Sequence, residues 1–272
     1  MAFAPSELGF SPASNGHIDL FPPSGQRSLG YELIPADPAW MLPFHPVYRR
    51  GEGIPRGDGS PIIFVPGLFS SDGYMRPMKN WVNRRGYAGE DSNIIWNVGS
   101  WRLHLQRLKE STRRVIERTG RKATIIGHSL GGVYGLAEVF EDPDLVDTLI
   151  TLASDTKENI RKAAHPAVGW GGSFAINIDP ETEEMLDLLP TLPLPAGVKM
   201  YCIFGDTDGV FHQESFGDPR AEENIQIPGK HFSLPFNPYA YEHIGRIQGE
   251  KVERLRNAGE EKILQFPISR VA

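Results

Sequence analysis

The chain has 272 residues, of which 40% are hydrophobic, and a formal net charge of -6. This length and apolar content are enough for one sizeable core, while the acidic balance argues against nucleic acid as a partner because phosphate binding needs a basic face. The arginine pairs at 84–85 and 113–114 are expected on solvated helix faces. The single cysteine, Cys202, excludes an internal disulfide and is expected to be a buried structural thiol; without zinc-type Cys/His spacing, no metal or other cofactor is expected.

Residues 1–60 are rich in proline, glycine and serine, with aromatic residues interspersed. A wholly disordered tail rarely carries so many aromatic residues, so this stretch is predicted to be an irregular N-terminal arm packed on the body. It lacks a basic start followed by an unbroken apolar run, and about 18 consecutive apolar residues occur nowhere in the chain. We therefore expect a cytoplasmic protein without a stable membrane anchor.

From residue 62 onward, short apolar runs alternate with helical patterns. Each run is predicted to be a strand buried on both faces, namely "IIFVPG", "SNIIWNVG", "KATIIGHS", "DTLITLAS", "KMYCIFGD" and "NIQIPGKH". Helices are predicted at about 76–85, 101–119 and 130–140. This alternation predicts an α/β domain over 61–272, built on a mainly parallel sheet of about six strands flanked by helices.

The alternation is interrupted at about 155–197. This stretch holds two short helical patterns, the turn "GWGG" and the proline-rich segment "LLPTLPLPAG" before the next strand begins. Because it is too long for an ordinary connection, it is predicted to be a cap or lid insertion in the domain.

The segment "GHSLG" at 127–131 lies between a predicted strand and a predicted helix. A bare Gly-x-Ser-x-Gly match is a weak signal, but in this context the two glycines allow a tight, strained turn that exposes the side chain of Ser129. A serine hydroxyl is a poor nucleophile, and it needs a base that is itself oriented by a carboxylate. Ser129 is therefore predicted to be a catalytic nucleophile.

Candidates for the base and the acid follow the serine in the chain. His231 comes after the last predicted strand, and Asp206 and Asp208 follow the strand "KMYCIF". Asp208 is favoured because Gly205 gives the loop room to turn its carboxylate toward the histidine, whereas Asp206 is expected to cap the turn through its own backbone. The other histidines, including His128 of the turn itself, are expected to be surface or core residues.

Negative charge that develops on a substrate oxygen requires backbone N–H donors. One donor is expected to be Leu130, the residue after the nucleophile, and the other should come from the loop after the first strand, "FVPGLFSSDGY". The Pro66-Gly67 pair allows this loop to turn inward. Leu68 is predicted as the second donor, with Phe69 as the alternative.

Taken together, these segments resemble the α/β-hydrolase superfamily over about residues 60–250. The stretches "RGDGSPIIFVPGLFSSDGYMRPMKNWVNRRGY", "WNVG", "GHSLGGVYGLAEVF", "TDGVF" and "GKHFSLPFNP" are similar to a lipase-like branch of bacterial esterases. The resemblance implies the α/β-hydrolase fold with Ser129, Asp208 and His231 as a catalytic triad, and it supports Asp208 through its Thr-Asp-Gly context. No antiparallel strand pair precedes residue 62, which predicts a reduced sheet.

The expected activity is hydrolysis of a small-molecule carboxylic ester through an acyl-enzyme intermediate. Apolar residues of the lid and the mouth indicate a hydrophobic or lipid-like ester, unless they simply pack the lid onto the body; they are Phe69, Trp96 or Trp101, Trp170, Phe174 and Met185. The same triad could instead serve acyl transfer, or cleavage of an amide or carbonate. A non-catalytic binding member of the fold is the remaining alternative, and the sequence does not indicate an oligomeric state.

Overall fold

A computed structural model describes residues 32, 37–158, 175–211 and 213–257. The strands are β1 (Pro61–Val65), β2 (Ala88–Asp91), β3 (Gly99–Ser100), β4 (Ala123–His128), β5 (Val146–Leu152), β6 (Ile176–Asn177), β7 (Lys199–Gly205) and β8 (Glu223–Ile227). The α-helices are α1 (Pro46–Arg50), α2 (Asp72–Arg85), α3 (Trp101–Thr119), α4 (Leu130–Glu141), α5 (Pro180–Leu188) and α6 (Pro238–Asn257). None of the helices described is both long and apolar enough to cross a membrane.

The main sheet has six strands in the order β2-β1-β4-β5-β7-β8, and each neighbouring pair is parallel. Alternate residues of β1 face opposite sides: Ile62 and Phe64 pack with α2 and α6, while Ile63 and Val65 pack with α3 and α4. Helices therefore cover both faces, as a parallel sheet requires. This is the predicted architecture, and no antiparallel strand precedes β1 among the described residues, in agreement with the reduced sheet.

One predicted strand is wrong. The segment "SNIIWNVG" contributes no strand to the main sheet, and the polar residues of β2, which precede it, form the edge strand beside β1. Asn93 has a φ of 64°, and Ile95 and Trp96 are 77% and 54% exposed, whereas Ile94 is buried. The sequence predicts a run buried on both faces, but the segment is a loop in which Ile94 is the buried apolar side chain. The other edge strand, β8, also differs, because its residues alternate between exposed and buried.

The part of the arm that the structure describes is more regular than predicted. A 3₁₀ helix spans Pro38–Phe44, and α1 follows it directly. Each helix begins at a proline and is capped by the preceding side chain, because Asp37 and His45 each accept the backbone N–H two residues further on. Proline suits the first helical position, where its fixed φ fits and its missing N–H is not needed. Pro38 and Pro46, which lie in the stretch predicted to be irregular, therefore each begin a helix.

This segment packs on α2. Val47 is buried, and its carbonyl accepts the indole N–H of Trp81 at 2.8 Å. Arg85, which was expected on a solvated face, is only 8% exposed and donates to the carbonyls of Arg50 and Ile54. The expectation for this arginine was wrong because the guanidinium satisfies backbone carbonyls that the packing removes from water.

The predicted lid lies partly within the described residues. There β6 pairs with β3 in a separate two-stranded parallel sheet, and α5 is one of the two short helices expected in the insertion. Arg102 of α3 donates to Asp179, which caps α5, and to Glu181 in its first turn. Residues 159–174 lie outside the described part of the chain, so a lid that covers the site stays a prediction.

Candidate active site

Ser129 lies where β4 ends and α4 begins, at the carboxyl end of the main sheet. Its backbone has a φ of 52° and a ψ of −122°, a conformation that residues with a side chain rarely adopt. Its N–H donates to the carbonyl of Leu152 at 2.8 Å, which holds the turn against β5. The strained strand–turn–helix context expected for this serine is therefore present.

The two glycines of the turn lie where other backbone comes too close for a side chain. A Cβ atom on Gly127 would lie 2.4 Å from the backbone of Gly131. A Cβ atom on Gly131 would lie 2.2 Å from the carbonyl oxygen of Val65 in β1. Heavy atoms at these distances overlap, so the packing of β1, β4 and α4 requires both glycines.

The variant Gly131→Ala is expected to destabilise the fold, although alanine normally favours a helix over glycine by about 1 kcal/mol. The added methyl group must displace β1 or α4, and overpacking of this kind costs about 1–3 kcal/mol. Gly73→Ala in α2 is the matched control, because the nearest atom to its Cβ would be the Ser71 hydroxyl oxygen at 3.3 Å. Urea unfolding compares the two variants, and equal stability would contradict the packing argument.

Two later loops bring His231 and Asp208 to Ser129. The Nε2 atom of His231 lies 3.0 Å from Ser129 Oγ, and its Nδ1 atom lies 2.8 Å from Asp208 Oδ2. The other carboxylate oxygen of Asp208 accepts the N–H groups of Val210 and Phe211 at 2.8 and 2.9 Å. All three side chains are buried. A carboxylate at Nδ1 keeps the ring proton there, which leaves Nε2 free to accept the serine proton.

Asp206, the alternative acid, has a different partner. Its Oδ1 atom accepts the N–H of Gly229 at 3.0 Å, and the hydroxyl of the neighbouring Thr207 donates to the Gly229 carbonyl at 3.0 Å. The sequence predicted a cap through the residue's own backbone, whereas the structure shows a bond across to the segment before His231. Asp206 thus joins two loops, and Asp208 is the aspartate on the histidine.

The loop after β1 passes beside Ser129. A Cβ atom on Gly67 would lie 3.1 Å from the Ser129 Cβ, so this backbone approaches the serine closely. The loop is held by Asn97, whose side-chain amide donates to the Pro66 carbonyl at 2.9 Å and whose N–H donates to Ser70 at 2.8 Å. Sequence reasoning missed this buried asparagine because it assigned "WNVG" to a strand.

Two backbone amides of the site are candidates for stabilising an oxyanion. The N–H of Phe69, the alternative donor, is committed to the Asn97 carbonyl at 3.2 Å, which favours Leu68 in the same loop. Leu130 is the first residue of α4, where helix geometry provides no acceptor for the N–H groups. The arrangement is compatible with Leu68 and Leu130 as the pair of donors.

His128 belongs to the site's supporting structure, beyond the surface or core role expected for it. Its Nε2 atom lies 2.9 Å from the His231 carbonyl oxygen and donates to it. Burial, and to a smaller extent repulsion from the nearby His231, lowers the pKa of His128 to about 3, so the ring is neutral near pH 7. The hydroxyl of Tyr74 donates to the Phe232 carbonyl. These two side chains hold the backbone of the loop that carries His231, and no signal in the sequence pointed to them.

Three aromatic side chains are half exposed around this edge of the sheet. Phe69 and Trp96, both predicted to bind substrate, are 50% and 54% exposed. Phe232, which the sequence analysis missed although it directly follows His231, is 50% exposed, and its ring lies edge-on to the imidazole at 5.2 Å. These exposed apolar side chains belong to the loop that passes Ser129, to the segment that Asn97 bonds to that loop, and to the segment of His231.

Of the remaining substrate-binding candidates, two are packed into the core and two lie outside the described residues. Trp101 is not at the mouth, because it is buried and stacks on Tyr134 with ring centroids 4.0 Å apart. Met185 is partly buried against the core on the α3 and α4 side of the sheet. Trp170 and Phe174 lie outside the described residues.

No cluster of three or more His, Cys, Asp or Glu side chains suited to a metal ion occurs within the described ranges. Cys202 is buried in β7, and burial raises the pKa of its thiol to about 11. The thiol is therefore protonated and unreactive at neutral pH, as expected for a structural cysteine.

No protein-family model matches this chain, and no curated protein sequence matches it. The mature form of the lipase BlEst2 from Bacillus licheniformis matches it in structure with a TM-score of 0.55 at 16% identity, over 73% of this chain and 96% of that chain. MGS-MChE2, an α/β-hydrolase enzyme from the metagenome of sediments of the Mar Chica lagoon in Morocco, matches with a TM-score of 0.52 at 18% identity, over 73% and 94%. The chain therefore has the α/β-hydrolase fold, which confirms the fold implied by its motifs.

Proposed function

We propose that this protein is a serine hydrolase that cleaves carboxylic esters through an acyl-enzyme intermediate. The observation that carries the proposal is the chain of hydrogen bonds from Ser129 through His231 to Asp208. Its order is the one that nucleophilic catalysis by a hydroxyl group requires, and it lies at the carboxyl end of the sheet, where α/β folds bind their ligands.

In the first half of the reaction, Ser129 Oγ attacks the ester carbonyl carbon while His231 Nε2 takes the hydroxyl proton. The imidazolium that forms is stabilised by Asp208, which keeps its hydrogen bond at Nδ1 throughout. When the carbon–oxygen bond of the ester breaks, His231 returns the proton to the leaving alcohol. The acyl group is then bound to Ser129.

The carbonyl oxygen gains negative charge in each tetrahedral intermediate. The N–H groups of Leu68 and Leu130 are the donors proposed to receive it. They belong to the loop after β1 and to the start of α4, and both segments are fixed in place, by Asn97 and by the packing of Gly131 respectively. Donors that are already oriented stabilise the charge without a cost of reorganisation.

In the second half, water replaces the alcohol. His231 Nε2 takes a proton from the water as its oxygen attacks the acyl carbon, and then protonates Ser129 Oγ as the carboxylic acid leaves. Bonds and protons balance without a metal ion or an organic cofactor, since the steps need only the proton transfers of one imidazole.

The half-exposed aromatic side chains of Phe69, Trp96 and Phe232 support a hydrophobic ester as the substrate. Hydrolysis of p-nitrophenyl esters of increasing acyl length tests both parts of the proposal. We expect kcat/KM to rise by about 3- to 4-fold per methylene group over the short chains, because each buried methylene contributes about 0.8 kcal/mol.

Esters of the same length with a terminal carboxylate are the matched comparison. Faster turnover of the charged esters would contradict the hydrophobic pocket, and no turnover of any ester would contradict the proposed function. Product analysis with a competing alcohol separates hydrolysis from acyl transfer, because a transferase converts the alcohol into a new ester.

A further inference from the structure

Glu32 lies in the N-terminal arm, yet its carboxylate contacts both loops that complete the site. Its Oε1 atom accepts the N–H of Gly209 at 2.8 Å and the N–H of His231 at 3.1 Å. Its Oε2 atom accepts the N–H of Phe232 at 3.1 Å. The carboxylate of Glu32 thus links Gly209, the residue after Asp208, to His231 and Phe232.

A second carboxylate of the arm contacts the same loop. Asp37 Oδ2 accepts a hydrogen bond from the Ser233 hydroxyl at 2.6 Å, while Asp37 Oδ1 caps the 3₁₀ helix that follows. The segment from His231 to Ser233 is therefore bonded to the arm by two side chains. Asp37 bonds to Ser233, and Glu32 bonds to His231 and Phe232.

We propose that Glu32 is a positioning residue of the hydrolytic site. It holds the backbone of Gly209 and of His231 at the separation that the bond between Asp208 and the imidazole needs, and its negative charge favours the imidazolium formed during turnover. The proposal rests on the proposed function, because it assigns His231 the role of base.

The groups around Glu32 act on its ionisation in opposite directions. Burial, followed by repulsion from Asp208, raises the pKa of Glu32, and hydrogen bonds from Gly209 and Phe232 together with attraction to His231 oppose that rise. A second carboxylate beside Asp208 is unfavourable by itself. Three N–H donors shared between both oxygen atoms of Glu32 stabilise its ionised form, and they are the groups whose position matters for the base.

Two titratable side chains beside this segment, those of His128 and Tyr74, are neutral and do not supply the negative charge that Glu32 carries. His128 is neutral because burial lowers its pKa to about 3. Tyr74 is neutral because burial, and then the charges of Glu32 and Asp37, raise the pKa of its hydroxyl. Among the described residues, Asp208 bonds to the imidazole and Glu32 to the backbone N–H of His231, whereas Asp37 bonds to Ser233 two residues further on.

The test compares Glu32→Gln with Asp58→Asn. The first variant keeps the size of the side chain, but it removes the charge and turns an oxygen that accepts an N–H into a donor. Asp58 is a matched control because it is also a partly buried carboxylate, which accepts the Ser60 N–H at 3.0 Å and pairs with Arg121. It precedes β1 and so lies at the amino end of the strands, whereas the site lies at their carboxyl end.

Two measurements are made on each protein: the titration of the His231 ring followed by NMR, which needs no turnover, and kcat and KM on p-nitrophenyl butanoate. In Glu32→Gln we expect the ring to titrate at lower pH than in the wild type, because a nearby anion favours the protonated imidazole. We also expect kcat to fall by about 10-fold with KM within about twofold, as displacement of a catalytic group would cause. Asp58→Asn should match the wild type in both measurements.

An unshifted ring titration in Glu32→Gln overturns the proposal, and so does an unchanged kcat in an active enzyme. A purely structural role of Glu32 would lower thermal stability but leave the ring titration where it is. If the wild type hydrolyses no ester, the proposed function fails on its own, and the NMR comparison still decides whether Glu32 acts on His231.

Discussion

Replacing Ser129 with alanine is expected to lower kcat for p-nitrophenyl butanoate by roughly 10⁶-fold, to the level of the background reaction. The change removes the attacking oxygen and nothing that the turn requires, because the backbone strain and the packing of both glycines do not depend on Oγ. Labelling of the protein by a fluorophosphonate probe should disappear as well, while the unfolding midpoint stays near that of the wild type.

Ser111→Ala is the matched control for this experiment. Ser111 is also buried, and its hydroxyl oxygen accepts hydrogen bonds from the side chains of Asn93 and Arg114 and has no contact with the proposed triad. That variant should label and turn over like the wild type. Full activity in Ser129→Ala, or labelling on a different residue in the wild type, would refute Ser129 as the nucleophile.

The second large effect concerns the acid. Asp208→Asn is expected to lower kcat by about 10⁴-fold, because an amide can donate to Nδ1 and so leaves the ring proton on Nε2, where it blocks acceptance of the serine proton. The fold should persist, since the asparagine oxygen can still accept the N–H groups of Val210 and Phe211.

Asp206→Asn is the natural comparison, two residues away in the same loop. Its side-chain oxygen remains available to the Gly229 N–H, so we expect kcat within a few-fold of the wild type and a loss of stability of about 1 kcal/mol or less. Steady-state kinetics rank the two variants. If Asp206→Asn were the inactive variant and Asp208→Asn the active one, the proposed role of Asp208 as the acid would be wrong.

Several elements were predictable because their signals are local. The helix α3 follows from apolar spacing and a terminal glycine, and it spans the predicted residues 101–119. The glycines around Ser129 and the order of Asp208 and His231 are likewise visible in the chain. Parallel strands place their carboxyl ends on the same side of the sheet, so a residue that directly follows such a strand can be assigned to the site without knowledge of any contact.

The errors and omissions depend on contacts between distant segments. The run around Ile95 and Trp96 has the composition of a strand, but its place beside β1 is taken by the polar residues before it. Asn97 and Glu32 act through backbone groups of other loops, and hydrogen bonds to backbone leave no pattern in the sequence of the partner. A carboxylate in a proline-rich arm therefore gave no sign of its proximity to His231.

The contacts of Glu32 also bear on the order in which the site can assemble. The geometry of Ser129 is set by neighbouring elements of the sheet, whereas the N–H donors of Glu32 lie 177 to 200 positions further along the chain. Closing a longer loop costs more conformational entropy, so these bonds are favoured only after the intervening structure has brought their ends together. If Glu32 positions His231 as proposed, a chain that has formed its sheet but not docked its arm is expected to lack full activity, and activity is expected to appear after the core has formed.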